Sequence, residues 1–164
     1  MPVGSASWSF TQDDFDAITQ TLQRFLYDSN ARCALLVDRT GQLVATVGEQ
    51  PTFDPTAFAT LTAADFSAND QLARMLGEPE FGALFHQGER ESMYLADIAK
   101  RVIFVVLFDN RTTLGLVKLR AKPAVGQLTQ LFTDMFTRDG AGAPGVDTGF
   151  SDEAEDEIDR LFGG

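Results

Sequence analysis

The sequence predicts one α/β domain of the α+β sandwich type, with its elements in the order α-β-β-α-β-β-β-α. First, 164 residues with 44% hydrophobic content are enough for one core and too few for two full domains. Second, segments with apolar residues at helical spacing alternate with short apolar runs of strand length. Third, glycine, proline and polar clusters separate these segments. The short connections between successive strands favour antiparallel pairing.

The first helix is predicted from Phe10 to about Asn30. Thr11 can accept a hydrogen bond from the amide of Asp14 as N-cap, and Phe10 and Phe15 are spaced for a hydrophobic staple. The buried stripe at helical spacing consists of Phe15, Ile18, Leu22, Phe25 and Leu26.

Two strands follow, CALLVD (33–38) and QLVATV (42–47). They are joined by residues 39–41, where Gly41 can take a positive φ and close a hairpin. Cys33 is the only cysteine, so it has no disulfide partner within the chain, and its apolar surroundings indicate a buried strand thiol.

The second helix is predicted to begin at Asp54 and Pro55, a good N-cap followed by a proline at the first helical position, and to end at Gly77 and Pro79. One arc is predicted to face the sheet, with Asp65 inside it: Ala57, Phe58, Leu61, Ala64, Ala68, Leu72, Met75 and Leu76. The reverse face carries Ala59, Ala63, Phe66, Ser67, Asp70, Ala73 and Arg74.

That reverse face is small and apolar for a solvated surface, and Phe66 is predicted to be an exposed anchor for a partner. An ordinary surface is the alternative, because single exposed apolar residues are common and alanine is a good helix former. Asp65, within the apolar arc, needs a hydrogen-bonding partner or access to water.

Three strands are predicted in the C-terminal half, at 84–99, 101–108 and 114–121. The first carries polar residues typical of a sheet edge, Gln87, Glu89, Arg90 and Glu91, and the second is a buried apolar run, RVIFVVLF. Pro123 is predicted to head the third helix. Its buried stripe is Val125, Leu128, Leu131, Phe132, Met135 and Phe136.

The domain is therefore expected to span residues 10–137, after a flexible N-terminus of residues 1–9. Residues 138–149 are rich in glycine, contain a proline and are predicted to be a linker. Residues 150–164 are predicted to form an acidic amphipathic helix with Ser151 as N-cap. Its apolar stripe is Phe150, Ala154, Ile158, Leu161 and Phe162.

The net charge of −11 argues against a nucleic-acid partner, since phosphate binding needs a basic surface. No apolar stretch is long enough to span a bilayer and no secretion signal is recognised, so a cytoplasmic protein without membrane insertion is expected. The acidic cluster of the tail lacks the alternation and the central glycine of a calcium loop, so no metal site is predicted.

The chain is not expected to be an enzyme. It has one histidine, His86, assigned to a surface or dimer contact, and one cysteine, so a nucleophile with an adjacent base is not expected. It also lacks the phosphate loop GxxxxGK[ST], so it is not expected to bind GTP or another cofactor.

The segments LLVDRTGQLVA, LGEPEFGALFHQGER and FDNRTTLGLVKLR, together with the tail SDEAEDEIDRLF, resemble the Roadblock family over about residues 10–137. Within that family the chain resembles the bacterial regulators of Ras-like small GTPases of the MglA type. The resemblance implies a five-stranded antiparallel sheet with the second helix on one face and the first and third on the other. It also implies a homodimer joined through the third strand and second helix.

The resemblance implies a GTPase-activating protein, and promotion of nucleotide exchange would be a second activity. It also implies a role in cell polarity or motility and a location at a cell pole. It places the GTPase on the second helix and tail, at Ala63, Phe66, Ser67, Gln71, Arg74, Ile158, Leu161 and Phe162. Arg74 and Arg111 are candidate arginine fingers, but the family instead repositions the switch regions of the GTPase. The alternatives are a scaffold that does not change GTP turnover and, third, a small-ligand sensor of longin or profilin shape.

Overall fold

A computed structural model describes residues 10–142 of the chain, with side chains described up to residue 138. The predicted order of elements is confirmed. The helices are α1 (Gln12–Ser29), α2 (Pro55–Met75) and α3 (Leu114–Gly142), and the strands are β1 (Cys33–Asp38), β2 (Leu43–Gly48), β3 (Ala83–Gln87), β4 (Ser92–Ile98) and β5 (Val102–Phe108).

The five strands form one antiparallel sheet in the order β2-β1-β5-β4-β3. All six residues of β1 are buried, because β1 lies inside the sheet and helices pack on both of its faces. The cluster between the sheet and α1 with α3 is centred on residues such as Leu22, Phe104 and Phe132. A smaller cluster lies under α2. The implied arrangement of one helix on one face and two on the other is confirmed.

The predicted starts of α1 and α2 and the predicted β1–β2 turn are confirmed in detail. Thr11 and Asp14 form a reciprocal capping box, and the rings of Phe10 and Phe15 stack with their centroids 6.0 Å apart. Asp54 caps α2 by accepting a 3.1 Å hydrogen bond from the Thr56 amide. In the β1–β2 turn, Gly41 has the positive φ of +99° that the hairpin requires.

The C-terminal half corrects two predictions. Residues 84–99 are not one strand but the hairpin of β3 and β4, and a Cβ added at Gly88 would collide with the Glu91 carbonyl oxygen. Residues 114–121 are the first turns of α3 rather than a strand. The buried residues Val117, Ala121 and Ala124 recur at spacings of four and three, which is a helical period.

Helix α3 is also longer than predicted at both ends. Pro123 lies inside it, on its exposed side, because the packing of the flanking buried residues outweighs the lost backbone hydrogen bond. Residues 138–142, predicted to begin a linker, continue the helix. The predicted N-terminal segment (1–9), the rest of the predicted linker (143–149) and the predicted tail helix (150–164) lie outside the described residues.

Candidate protein-docking surface

The orientation of α2 is the reverse of the prediction. The side of α2 against the sheet carries Ala59, Thr62, Ala63, Phe66, Asn69 and Ala73. Phe66 is 2% exposed and belongs to the cluster under α2, as does Ala63. The sequence predicts that these two residues contact a partner, and the structure instead buries them in the domain. The reason is geometric: a single large ring between alanines fills the shallow space between this helix and the sheet.

Apart from Phe58, which packs against the cluster under α2 as predicted, the predicted core arc of α2 faces outward, and its outward residues within the helix form what we call the outer stripe. It consists of Ala57, Leu61, Ala64, Ala68, Leu72 and Met75. Leu61, Leu72 and Met75 are 70%, 56% and 83% exposed. Residues spaced by three and four positions form the seam that another helix packs against. The alanines in the middle of the stripe would let a partner backbone approach closely.

Exposed polar side chains border the outer stripe on one side. Ser67, Gln71 and Arg74, all predicted partner contacts, are exposed there. Arg74 has no ion pair among the residues that the structure describes. We call these three residues the polar flank. Of the five predicted partner contacts on α2, three are therefore exposed, and the other two, Ala63 and Phe66, are buried.

Asp65 borders the other side of the outer stripe and reaches β3. Its Oδ2 lies 2.5 Å from Nε2 of His86, and both side chains are partly exposed, at 37% and 48%. This contact supplies the partner that Asp65 needed. It also ties the outer surface of α2 to the strand at the end of the sheet.

Strand β3 is the free edge next to this surface. In the described chain it pairs with β4 alone, from Ala83 opposite Ala96 to Gln87 opposite Ser92. The hydrogen-bonding groups on its other side are open to a further strand. An open strand edge and an exposed apolar helix therefore lie side by side.

Arg39 holds α2 on the sheet. From the β1–β2 turn it donates a 2.6 Å hydrogen bond to Asp70 of α2 and another to Asp97 of β4, and its guanidinium lies 4.9 Å from the centroid of the Phe66 ring. Burial alone would lower the pKa of Arg39, but the hydrogen bonds to Asp97 and Asp70 raise it above its ordinary value. Sequence reasoning missed this group, because its three charges are far apart in the chain.

Two other residues singled out in the sequence, Cys33 and Arg111, have surroundings that raise their pKa. Burial raises the pKa of the Cys33 thiol, which disfavours the reactive thiolate. Arg111 pairs with Asp109 and Glu49, which raise its pKa and hold it at the surface near β2. Within residues 10–138, no three His, Cys, Asp or Glu side chains are grouped to hold a metal ion.

Two more predictions concern membranes and the tail. None of the helices in the described part of the chain is both long and apolar enough to cross a membrane. The predicted tail contacts Ile158, Leu161 and Phe162 lie outside the described residues.

Comparison with known proteins identifies the family. The Roadblock/LC7 domain model matches residues 17–108. Among solved structures, Myxococcus xanthus MglB is 42% identical, covers 73% of this chain and 98% of its own, and superimposes with a TM-score of 0.70. The gliding protein MglB of Thermus thermophilus is 31% identical over 78% of this chain and 97% of its own, with a TM-score of 0.72.

More distant structures share the fold alone. A Roadblock/LC7 domain from Streptomyces avermitilis is 10% identical, covers 70% of this chain and 97% of its own, and has a TM-score of 0.63. A search by sequence among curated proteins finds no match. The match of the domain model over more than half of the chain and the 42% identity to a solved relative carry the assignment. This chain is a member of the Roadblock/LC7 family.

Proposed function

We propose that this chain is a homodimeric regulator of a Ras-like small GTPase of the MglA type and accelerates GTP hydrolysis by that GTPase. The observation that carries the proposal is the exposed outer stripe beside the open edge of β3. Soluble domains rarely expose a contiguous row of large apolar side chains on one helix, and such a row usually marks a surface that another protein covers. Similarity to two MglB proteins supports the identity of the GTPase.

The homodimer would use the outer stripe and β3 together. Two copies related by a twofold axis could pair their β3 edges and pack their α2 helices across the axis, which would join two five-stranded sheets into one of ten strands. Ala64 and Ala68 permit close helix contact, and Leu61, Leu72 and Met75 supply the apolar area. The contact between Asp65 and His86 would hold strand and helix in register for this pairing.

The GTPase would dock on the polar flank. Ser67, Gln71 and Arg74 remain exposed beside the outer stripe, so dimerisation would leave them on a continuous surface formed by both copies. Ala63 and Phe66 contribute from below, because their packing fixes the height and rotation of α2. The family resemblance further suggests a second contact through Ile158, Leu161 and Phe162 of the tail, linked to nucleotide exchange.

Acceleration would come from positioning. Among the described residues of the polar flank there is no general base, and Arg111 is held by two carboxylates. A surface that selects the hydrolysis-competent arrangement of the GTPase's own switch residues needs no reacting group of its own. Such a regulator would act in cell polarity or motility and would sit at a cell pole.

The test is single-turnover GTP hydrolysis by an MglA-type GTPase with and without this chain. We expect faster hydrolysis with the native chain and little effect from the Ser67→Arg variant, which places a bulky charge on the polar flank. Thr133→Arg adds the same charge to an exposed position of α3 and should act like the native chain. Binding without any change in rate would instead identify a scaffold.

A further inference from the structure

A groove between α1 and α3 lies on the side of the domain away from α2. Its volume is about 440 Å³, and it is lined by Ala17, Gln20, Thr21, Arg24, Gln127, Gln130 and Leu131. The lining contains one cation, three amides and an apolar floor, and it contains no carboxylate. Neither the proposed dimer surface nor the polar flank uses any of these residues.

We propose that this groove binds the C-terminal segment of the same chain, residues 150–164, as an antiparallel helix. The segment is amphipathic in sequence, with Ile158, Leu161 and Phe162 on one stripe and seven carboxylates against one arginine in residues 147–164. Its apolar stripe matches the floor formed by Ala17 and Leu131. Its acidic sides match Arg24, whose Nε lies 4.0 Å from Asp28, and the amides of Gln20 and Gln127; the third lining amide, Gln130, already donates to Asp134.

Chain length places the segment at the groove. Helices α1 and α3 are antiparallel, since Asp14 pairs with Arg138 at one end and Arg24 lies with Gln127 in the groove at the other. From Gly142 back to Gln127 the helix axis measures about 22 Å, and a helix of fifteen residues also measures about 22 Å. Residues 143–149 span up to about 24 Å when extended, which is enough to reverse direction.

The match in length fixes the register to within about one turn. If residue 150 lies beside residue 139, near the end of α3, Ile158 falls beside Leu131, Leu161 beside Leu128 and Phe162 beside Gln127. Asp16 and Asp134 lie on the two helices close in sequence to the lining residues. Asp16 accepts a hydrogen bond from Gln12 and Asp134 accepts one from Gln130, both at 2.9 Å.

Docking in the groove would keep the apolar stripe of the segment covered until a partner competes for it. This inference does not depend on the proposed GTPase, since it concerns the free chain. It assigns the segment a resting site within its own domain.

Disulfide crosslinking of the full chain tests the proposal. We expect the pair Gln127→Cys and Leu161→Cys to form a disulfide about ten-fold faster than the pair Lys122→Cys and Leu161→Cys, because docking raises the local concentration of one pair only. Lys122 is an exposed residue of the same helix outside the groove, and native Cys33 is buried. The expected product has the mass of one chain.

Equal rates for the two pairs would overturn the proposal, and so would a product of two chains, which would place the segment on a second copy. Amide chemical shifts give a second measurement that does not need cysteines. The Leu161→Asp variant should shift the amides of Gln20, Thr21 and Gln127 relative to the native chain. Unchanged shifts at these three amides would contradict docking in the groove.

Discussion

Arg39 donates a hydrogen bond of 2.6 Å to Asp70, and this contact fixes α2 against the sheet from the β1–β2 turn. The same guanidinium binds Asp97 of β4, and all three side chains are less than one third exposed. Removing Arg39 would leave two poorly solvated carboxylates without their cation. The position of the candidate docking surface therefore depends on a residue outside it.

The Arg39→Ala variant should lower the free energy of unfolding by about 2–3 kcal/mol, somewhat below the cost of breaking a fully buried ion pair. Arg111→Ala is the matched control, since Arg111 also binds two carboxylates but is about half exposed; it should cost clearly less than Arg39→Ala, because solvent screens its ion pairs. Urea unfolding measures both. Equal losses in the two variants would show that the Arg39 group does not hold α2.

Truncating Phe66 tests the reversed orientation of α2. Phe66→Ala should lower the free energy of unfolding by about 3–5 kcal/mol, because it opens a cavity in the cluster under α2. If Phe66 were an exposed anchor, the loss would be small. Met75 lies on the opposite, exposed side of α2. Met75→Ala should therefore change the free energy of unfolding only by weakening the dimer, so its effect should depend on protein concentration. Thermal unfolding at two concentrations separates the two effects.

A charge in the outer stripe should prevent dimerisation. Leu61→Asp and Leu72→Asp each place a carboxylate where two apolar helices would meet, so sedimentation equilibrium should give the mass of one chain instead of two. Leu119→Asp is the control, because Leu119 is 62% exposed but lies on α3. The prediction fails if the α2 variants keep the mass of the native chain, or if the control also dissociates.

Replacement of Arg74 distinguishes docking from an arginine finger. A finger supplied in trans contributes about 10³–10⁵-fold to hydrolysis. We expect Arg74→Ala to reduce stimulated hydrolysis by less than about ten-fold, the loss of one surface contact. Single-turnover rates at saturating regulator measure the difference, and a loss of about a thousand-fold or more would assign Arg74 a direct role.

The contact between Asp14 and Arg138 should make stability depend on pH below about 4. Hydrogen bonding to Arg138 lowers the pKa of Asp14 from its ordinary 3.8 in the folded chain, while the backbone and side chain of Thr11 also contribute. A lowered folded pKa means that the stabilisation is present above the unfolded value and is lost as pH falls through the folded value.

Arg138→Gln should therefore weaken the chain at neutral pH and lose its effect in acid. Urea midpoints between about pH 7 and pH 2.5 measure this difference. If the difference in urea midpoint between the native chain and the variant stayed constant over this pH range, the ion pair could not be its cause.

Local signals predict most of the elements. The caps at Thr11 and Asp54 and the glycine at position 41 can be read from the sequence because each interaction lies within a few residues along the chain. Residues 114–121 resemble a strand because a short apolar run suits a strand or a buried helix equally well. Their helical spacing becomes clear only when Ala124 is included.

The orientation of α2 could not be predicted from periodicity. The helix has two apolar sides. Hydrophobicity predicts that a side chain is buried, but it does not indicate whether the side chain is buried by its own domain or by another protein. Periodicity therefore assigns the richer side, with Leu61, Leu72 and Met75, to the core. The spacing of the outer stripe by three and four positions was the available signal, since it is typical of a seam between helices.

The order of strands has a consequence for how the chain is made. The sheet consists of the β1–β2 hairpin and the β3–β4–β5 meander, and they meet only where β1 pairs with β5, through partners 64 to 74 residues apart in sequence. Closing a loop of that length costs about 4 kcal/mol of chain entropy before the pairing offsets it. While the chain emerges from the ribosome, β1, the most apolar strand of the first half, therefore remains an open edge until residue 108 has been synthesised. In that interval α2 can cover one face of β1, but the hydrogen-bonding groups of the edge stay unpaired until β5 arrives.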